Sequence, residues 1–259
     1  MQKSLVYLLL LLVPGLLLAQ ERNFLAEQFI KESDTLNYRI LYPEGFSEEK
    51  EYPLVLFLHG AGERGSDNEL QLTHGKELFL QNTEYPAIVL FPQCPIDQYW
   101  ANVKYEQGPE GNREWDFDYE GEPTKPLSLV MGLLDQMLES GVIKLDQVYV
   151  AGLSMGGMGT FELLARKPDT LAAAIPICGG GNPEAVSAYA GNTRLWIFHG
   201  AKDNVVPQEL SISMAKAINA AGGTADLTIY GAANHNSWDP AFAETDFLKW
   251  LFSKSLSKE

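Results

Sequence analysis

The stretch that decides the fold is Gly152-Leu153-Ser154-Met155-Gly156. The four apolar residues before it, 148–151, predict a β-strand, and the residues after it, 158–166, have helical spacing and stop before Pro168. A serine between a strand and a helix, with a glycine two residues to either side, is typical of a nucleophile elbow. The glycines keep side chains out of a tight turn, and the hydroxyl stands at a helix N-terminus that favours negative charge. The spacing therefore predicts that Ser154 is an exposed nucleophile.

Length and charge limit what the chain can be. Its 259 residues suffice for one large α/β domain with a full core, and no break in composition divides them. The chain carries 19 basic and 34 acidic residues, a net charge of −15. Such a surface repels nucleic acid and acidic substrates, so no nucleic-acid partner is expected.

The first nineteen residues have the pattern of a secretory signal peptide. Lys3 precedes a leucine-rich run that ends at Leu18-Ala19, ahead of polar residues. An uncleaved membrane anchor is the alternative, but the run is short and Pro14-Gly15 interrupts it. We expect cleavage near Ala19, a domain at 20–259 and a secreted or periplasmic protein without stable membrane insertion. Without residues 1–19, 18 basic and 34 acidic residues remain, and the net charge becomes −16.

Two cysteines follow the signal peptide, Cys94 and Cys178. An exported protein could oxidise them to a disulfide. Both lie at the ends of predicted strands that are not expected to be neighbours in the sheet. We therefore predict two buried free thiols.

Strand and helix patterns alternate along most of the chain. Two strands around a turn at 32–34 predict an antiparallel start, and Tyr52–Leu58 is a continuous apolar run typical of a strand buried on both faces. Further strands are predicted at 87–92, 148–151, 172–178, 195–198 and 225–230, and helices at 126–140, 158–166, 208–221 and 240–253, with a short amphipathic helix carried by 66–82. This order predicts a mostly parallel central sheet flanked by helices, with antiparallel N-terminal strands.

Three residues with complementary chemistry follow predicted parallel strands: Ser154, Asp203 and His235. A serine hydroxyl needs a base within hydrogen-bond reach, and an imidazole needs an acceptor to fix its tautomer. His235 alone among the four histidines lies in a loop after the last strand. Asp226 and Asp239 compete for the acid role, but neither ends a buried strand ahead of a helix. The order Ser, Asp, His is that of the α/β-hydrolase fold.

A glycine-rich loop, 59–65, follows the strand Tyr52–Leu58. Glycines let backbone N–H groups point inward at an acyl oxygen, so we predict an oxyanion hole formed by the N–H groups of Ala61 and Met155, with Gly62 as a substitute. An ordinary strand-to-helix turn is the alternative. We expect His59 to fix the loop and Glu63 and Arg64 to form a local ion pair.

Two further histidines are expected to have structural rather than catalytic roles. His74, on the short helix predicted within 66–82, is expected to be a surface or packing residue. His199 lies beside Gly200 at a strand end, where it is expected to shape the turn that carries the acid.

Residues 97–125 form an acidic, aromatic insertion expected to overhang the site. Trp100, Trp115 and Tyr119 from this segment, together with Trp238, are candidate substrate-binding residues, because aromatic faces suit sugar rings or a phenolic acyl group. A small satellite core is the alternative, and the sequence does not decide between them.

Five motifs carry a resemblance to a known family: 59–65 (HGAGERG), 66–70 (SDNEL), 92–95 (PQCP), 152–157 (GLSMGG) and 235–239 (HNSWD). Together they resemble the secreted bacterial α/β-hydrolase esterases. The most similar branch is that of predicted peptidases and phospholipase/carboxylesterase-like proteins, related to feruloyl and acetylxylan esterases and to polyhydroxybutyrate depolymerases. The resemblance implies Ser154 as nucleophile, Asp203 as acid and His235 as base. It covers nearly all of the chain after the signal peptide, but it does not identify the substrate.

The sequence thus predicts a secreted serine carboxylesterase that hydrolyses esters on acylated or feruloylated plant polysaccharide. A broad short-chain esterase, a serine peptidase and a catalytically dead binding protein of the same fold are the alternatives. No cofactor is expected. No metal site is expected either, because the histidines are scattered and no cysteine pair has ligand spacing. The sequence does not predict the oligomeric state.

Overall fold

The computed structural model describes residues 22–107 and 113–256, so the predicted signal peptide lies outside the described residues. One mixed sheet of eight strands forms the centre of the protein, and a separate hairpin lies beside it. The strands are β1 (Leu25–Lys31), β2 (Asp34–Leu41), β3 (Tyr52–Leu58), β4 (Ile88–Pro92), β5 (Val103–Gln107), β6 (Arg113–Phe117), β7 (Ile143–Leu153), β8 (Ala173–Ile177), β9 (Arg194–Gly200) and β10 (Thr224–Tyr230).

The central sheet has the order β1-β2-β4-β3-β7-β8-β9-β10. β1 pairs with β2, and β2 with β4, in antiparallel fashion, whereas every pair from β4 to β10 is parallel. The predicted fold class is therefore confirmed, including its antiparallel N-terminal strands. Because the parallel strands share one direction, their carboxyl ends meet along a single edge of the sheet.

Helices cover both faces of this sheet. They are α1 (Lys76–Leu80), α2 (Lys125–Glu139), α3 (Met155–Arg166), α4 (Gln208–Ala220), α5 (Trp238–Phe242) and α6 (Phe247–Phe252). Apolar residues of α2, α3 and α4 belong to one hydrophobic core, and those of α1, α5 and α6 belong to a second. Within the described part of the chain, no helix combines the length and apolar character needed to cross a membrane.

Strand β3 explains how two cores are built from one sheet. Its side chains alternate: Leu54, Leu56 and Leu58 enter the core beneath α2 and α3, while Val55 and Phe57 enter the opposite one. All five are buried. The continuous apolar run is thus the consequence of burial on two faces, as predicted.

One predicted helix is wrong in extent, and another is placed differently. The short helix predicted within 66–82 is α1, which begins after His74, because Gly75 has a left-handed φ of +83° and separates it from a 3₁₀ turn (Leu70–Leu72). The predicted helix 240–253 is broken into α5 and α6. The break places Phe242 edge to face with Phe247 at 5.9 Å and buries Phe247 in the core.

The insertion at 97–125 contains the hairpin β5–β6, which packs on a third, small core. Phe117, Met158 and Val206 are buried in it. The carboxylate of Glu162 on α3 anchors the base of the hairpin by accepting hydrogen bonds from the backbone N–H (2.6 Å) and side-chain amide (3.2 Å) of Asn102. The satellite core that the sequence left open is therefore present, and it is attached to the helix that follows Ser154.

Candidate active site

Ser154 occupies a strained turn between β7 and α3. Its φ of 54° and ψ of −115° lie outside the regions that non-glycine residues prefer. The flanking glycines are required by contact: a Cβ on Gly152 would lie 2.3 Å from the Gly156 carbonyl oxygen, and one on Gly156 would lie 1.9 Å from the carbonyl oxygen of Leu58. The backbone N–H of Ser154 donates to the carbonyl of Ile177 on the neighbouring strand at 2.8 Å. The turn therefore has the geometry predicted for a nucleophile elbow.

The structure brings Ser154, His235 and Asp203 into one hydrogen-bonded line. His235 Nε2 lies 2.9 Å from Ser154 Oγ, and His235 Nδ1 lies 2.8 Å from Asp203 Oδ2. The three residues follow β7, β10 and β9, and so they meet at the carboxyl edge of the sheet. The Asp203 side chain is fully buried, whereas that of His235 is 20% exposed. An imidazole placed in this way can take the hydroxyl proton while the carboxylate stabilises the resulting cation.

The Asp203 carboxylate is held by four donors. Oδ1 accepts from the backbone N–H groups of Val205 and Val206, each at 2.9 Å, and Oδ2 faces His235 and, at 3.2 Å, His199. Burial alone would raise the pKa of Asp203, but the hydrogen bonds from His199, His235 and the two amides hold it well below its usual range. Asp203 is therefore ionised at neutral pH.

The two competing acids lie elsewhere. Asp226 is within β10, paired in register with Trp196. Asp239 accepts a hydrogen bond from the side-chain amide of Asn236 at 2.9 Å. Of the three acids considered, Asp203 is the one that contacts His235.

The predicted oxyanion donors both begin a helix. Met155 is the first residue of α3, and Ala61 is the first residue of a 3₁₀ helix, Ala61–Glu63. An N–H group at that position has no acceptor within its own helix, so it is available to a ligand. Gly156 lies against the Leu58 carbonyl and Gly60 against Leu153, which packs the elbow and the glycine-rich loop together. That Ala61 and Met155 bind an acyl oxygen stays a prediction.

The buried His59 ring fixes the glycine-rich loop through hydrogen bonds at both of its nitrogens. Its Nδ1 donates to the Gly60 carbonyl at 2.6 Å, and its Nε2 accepts from the backbone N–H of Cys94 at 3.0 Å. Burial of the ring lowers the pKa of His59 to about 4, so the imidazole is neutral. The predicted bracing role is confirmed.

The predicted ion pair between Glu63 and Arg64 is wrong. Arg64 donates to the carbonyls of Ala61 (2.9 Å) and Gln98 (3.1 Å), and the Glu63 carboxylate lies 3.7 Å from His74. Neighbouring side chains on a helical turn point in different directions, which is why the two charges separate.

His74, predicted to be a surface or packing residue, packs on an aromatic ring close to the site. The His74 ring lies 5.2 Å from the ring of Trp238, which in turn meets His235 edge to face at 5.5 Å. No spacing in the sequence connects α1 with the loop after β10, so this aromatic stack could not be found from the pattern alone.

One of the four aromatic candidates for substrate binding, Trp100, is wrong. Trp100 is completely buried, and its Nε1 donates to the carbonyl of His59 at 3.1 Å, so it supports the glycine-rich loop from inside. Tyr119 packs in the small core of the hairpin with its hydroxyl buried beside Gly181, and burial raises its pKa. The sequence could not show which face of these rings the fold would cover.

The other two candidates, Trp238 and Trp115, each keep part of the ring open to solvent. Trp238 is half-buried beside His235. Trp115 is half-buried and lines a cleft of about 490 Å³ between the hairpin, the loop after β8 and helix α4.

Both cysteines are free and buried, as predicted. The sulfur of Cys178 and ligand atoms of Asp203 and His235 lie within 4.8 Å of one another, a proximity that the sequence spacing did not suggest. The carboxylate and imidazole are already hydrogen-bonded to each other, and burial raises the pKa of the Cys178 thiol, which keeps it protonated. The Asp203–His235 pair accounts for this cluster without a metal ion.

Comparison with known proteins identifies the family of the chain. A family model described as phospholipase/carboxylesterase matches residues 46–250. A bifunctional acetylxylan esterase/xylanase of Neocallimastix patriciarum is 32% identical over 60% of the chain, which spans 20% of that protein. A carboxylesterase of Arabidopsis thaliana is 26% identical over 70% of the chain and 82% of its own length.

A solved structure of a thermostable esterase is 35% identical, with a TM-score of 0.78 over 90% of this chain and 63% of the other. The chain therefore spans about a fifth of the first curated relative and less than two thirds of this structure. The matched family model covers most of the chain, and the protein belongs to the phospholipase/carboxylesterase family of the α/β-hydrolase fold.

Proposed function

We propose that the protein is a serine carboxylic ester hydrolase in which Ser154, His235 and Asp203 carry the reaction. The observation that supports this most directly is the unbroken hydrogen-bond line from the Ser154 hydroxyl through both nitrogens of His235 to an ionised carboxylate. A binding protein of the same fold has no need of this line. The family and the esterase relatives support the same reaction class.

In the first half of the reaction Ser154 Oγ attacks the ester carbonyl carbon. His235 Nε2 takes the hydroxyl proton as the new C–O bond forms, and Asp203 stabilises the imidazolium through Nδ1. The backbone N–H groups of Ala61 and Met155 bind the oxygen that becomes negative. The tetrahedral intermediate collapses when His235 gives its proton to the leaving alcohol, which leaves an acyl group on Ser154.

In the second half water replaces the alcohol. His235 removes a proton from the water as its oxygen attacks the acyl carbon, and the same two N–H groups again bind the oxyanion. Return of the proton to Ser154 Oγ breaks the acyl–serine bond and releases the carboxylic acid. The cycle needs no group beyond the residues named and water.

An ester is the favoured substrate over a peptide. Both leaving groups take their proton from His235, but the nitrogen of an amide is the poorer leaving group, so cleavage of a peptide depends more strictly on that proton than cleavage of an ester does. The curated relatives reported above are named as esterases. Hydrolysis of a peptide p-nitroanilide at rates comparable to those for esters would favour the peptidase alternative.

For the natural substrate we propose acyl esters, acetyl or feruloyl, on plant polysaccharide. The acetylxylan esterase/xylanase relative supports this, and the net charge of −15 tolerates a neutral polymer. Trp238 is placed beside the reacting groups, and the cleft at Trp115 offers an aromatic face with polar neighbours, Asn182, Glu184 and Ser213, for sugar hydroxyls.

A matched pair of substrates, one polymeric and one small, tests whether the protein binds a polysaccharide at Trp115. Trp115→Ala is expected to raise KM for acetylated xylan several-fold and to leave KM for p-nitrophenyl acetate unchanged, because only the polymer reaches the cleft. Equal effects on both substrates would contradict binding of the polymer at Trp115. If neither the wild type nor the variant hydrolyses acetylated xylan, the short-chain esterase is the better proposal.

We also propose that the protein is exported, with residues 1–19 removed. The pattern of a basic residue, a leucine-rich run and a small residue before the polar Gln20 supports export. N-terminal sequencing of protein recovered from outside the cytoplasm should begin near Gln20. A chain that retains Met1 in that fraction would contradict cleavage.

The decisive experiment compares the wild type with Ser154→Ala and Ser187→Ala. Ser187 is an exposed serine on the 3₁₀ helix Pro183–Ala188 and serves as the matched control. We expect the wild type and Ser187→Ala to hydrolyse p-nitrophenyl esters and to be labelled by a fluorophosphonate. Ser154→Ala should lose the label and at least roughly a thousandfold in kcat. A wild type that neither hydrolyses any ester nor takes the label would refute the proposal.

A further inference from the structure

A second histidine, besides His235, contacts the Asp203 carboxylate. His199, four residues earlier at the end of β9, is completely buried, and its Nε2 lies 3.2 Å from Asp203 Oδ2. The same oxygen accepts from His235 Nδ1 at 2.8 Å. One carboxylate oxygen thus lies between two imidazoles, one of which contacts Ser154 and the other of which does not.

The hydrogen bonds of His199 identify where its proton lies. Nε2 is 2.9 Å from the Val206 carbonyl oxygen, which can only accept, so Nε2 carries a proton. That proton is directed between the Val206 carbonyl and the Asp203 carboxylate. His199 therefore acts as a donor toward Asp203.

The other nitrogen is anchored to helix α4. Nδ1 lies 2.7 Å from Ser211 Oγ, and Ser211 Oγ lies 3.1 Å from the carbonyl of Gly179 at the end of β8. Ser211 is buried as well. The ring is fixed on both sides by groups that belong to three different elements, so it cannot turn away from Asp203 without breaking buried hydrogen bonds.

The buried ring of His199 contacts three polar groups: the Asp203 carboxylate, the Val206 carbonyl and the Ser211 hydroxyl. A buried polar group costs stability unless it is paired, and an apolar side chain would fill the same volume without that cost. Among the described residues, the titratable groups that face Asp203 are His199 from β9, His235 from the loop after β10 and Cys178 from the end of β8.

We infer that His199 is a positioning residue: with its ring held at Nδ1 by Ser211, its Nε2–H fixes the Asp203 carboxylate in the orientation in which Oδ2 accepts a hydrogen bond from His235 Nδ1. This inference rests on the proposed function. His199 does not touch the substrate, and its effect passes through Asp203 alone. Because Asp203 Oδ2 accepts from both His199 and His235, the negative charge on that oxygen is shared between two donors. The hydrogen bond from His199 therefore limits how strongly Asp203 holds the proton of His235.

Two nearly isosteric variants separate positioning from packing. His199→Gln keeps an amide N–H that can reach Asp203, whereas His199→Met fills similar space without a donor. We expect His199→Met to lower kcat on p-nitrophenyl acetate by roughly ten- to hundredfold, the range for a lost hydrogen bond to a charged group, with KM unchanged. His199→Gln should recover most of that loss.

The pH profile provides a readout that packing would not move. Without the donor at Oδ2, Asp203 holds the His235 proton more strongly, so the acid limb of kcat/KM in His199→Met should shift to higher pH. Ser211→Ala removes the anchor of the His199 ring but keeps the ring itself. It should therefore also lower kcat, but by a smaller factor than His199→Met does. Thermal unfolding of each variant monitors folding, and Ser211→Ala and His199→Gln decide the question if His199→Met does not fold.

A spectrum recorded without substrate separates this inference from the proposed function. The proton on His235 Nδ1 should give a far-downfield ¹H resonance, assigned by its loss in His235→Gln, that shifts in His199→Met and returns toward the wild-type position in His199→Gln. An enzyme inactive on every ester with this pattern intact would refute the function and keep the positioning role. The inference would be overturned if folded His199→Met and His199→Gln had the kcat, the acid limb and the resonance position of the wild type.

Discussion

Lowering the pH from 7 to 5 should destabilise the protein through one buried histidine. His59 is 1% exposed, and burial lowers its pKa from 6.5 to about 4. In the unfolded chain the same ring takes up its proton near the ordinary value. Because the unfolded state binds more protons between these two values, the contribution of His59 is complete above about pH 6.5 and is lost as the pH falls toward 4.

The size of the effect follows from the two pKa values. A single group of this kind loses about 2 kcal/mol of unfolding free energy between pH 7 and 5, and about 3 kcal/mol once the pH is below 4. Asp203 does not contribute in this window, since its lowered pKa removes stability only below its ordinary value of 3.8. The raised pKa of Glu162 acts in the opposite sense, with stability lost as the pH rises from 4.5. Because Asp203 and Glu162 titrate alike in the wild type and in a His59 variant, the difference between those two proteins cancels their contributions.

The assay is urea unfolding of the wild type and His59→Gln at pH 7 and pH 5. The glutamine amide can still accept from the Cys94 N–H but does not titrate. The wild type should lose about 2 kcal/mol more than the variant between the two pH values. An equal loss in both proteins would show that His59 is not held neutral in the fold, and the reasoning from burial would be refuted.

Two further changes test how the elbow and its support are built. Gly156→Ala should cost at least about 2 kcal/mol, since the new Cβ would meet the Leu58 carbonyl oxygen at 1.9 Å; Gly121→Ala, which meets nothing within 4 Å, is the control and should change thermal stability little. Trp100→Phe leaves the buried His59 carbonyl without its donor, which should cost about 1–3 kcal/mol in urea unfolding and leave KM unchanged. A raised KM without lost stability would instead support Trp100 as a substrate-binding residue.

The parts of the fold that the sequence predicted are those encoded locally. The apolar run Tyr52–Leu58 matches β3 residue for residue, since burial on both faces requires an apolar side chain at every position. The glycines around Ser154 are likewise local, because they meet the backbone of the same turn and of one neighbouring strand. Ser154, Asp203 and His235 could be paired because parallel strands bring their carboxyl ends to one edge.

What the sequence missed depends on contacts between distant elements. Trp100 and Trp238 are both aromatic residues in glycine-rich or polar surroundings, yet one is buried under the loop and the other flanks His235. His74 reaches the site only because the turn before α1 lies beside Trp238, the first residue of α5. The orientation of such rings is decided by tertiary packing, which no spacing records.

The chain separation of the three site residues has a consequence for how the protein refolds. Ser154 and His235 are 81 residues apart and Asp203 and His235 are 32 apart, and β10, which positions His235, is the last strand and lies at the edge of the sheet. Contacts between distant residues form late, because loop-closure entropy opposes them. During refolding, β9 and β10, whose paired residues Arg194 and Thr224 are 30 positions apart, will pair before β3 and β7, whose paired residues Leu54 and Val148 are 94 positions apart. Capture of a fluorophosphonate by Ser154, which needs His235 from the other part of the sheet, will therefore lag behind the first recovery of tryptophan fluorescence, and the delay measures the time that the long-range strand pairs need to form.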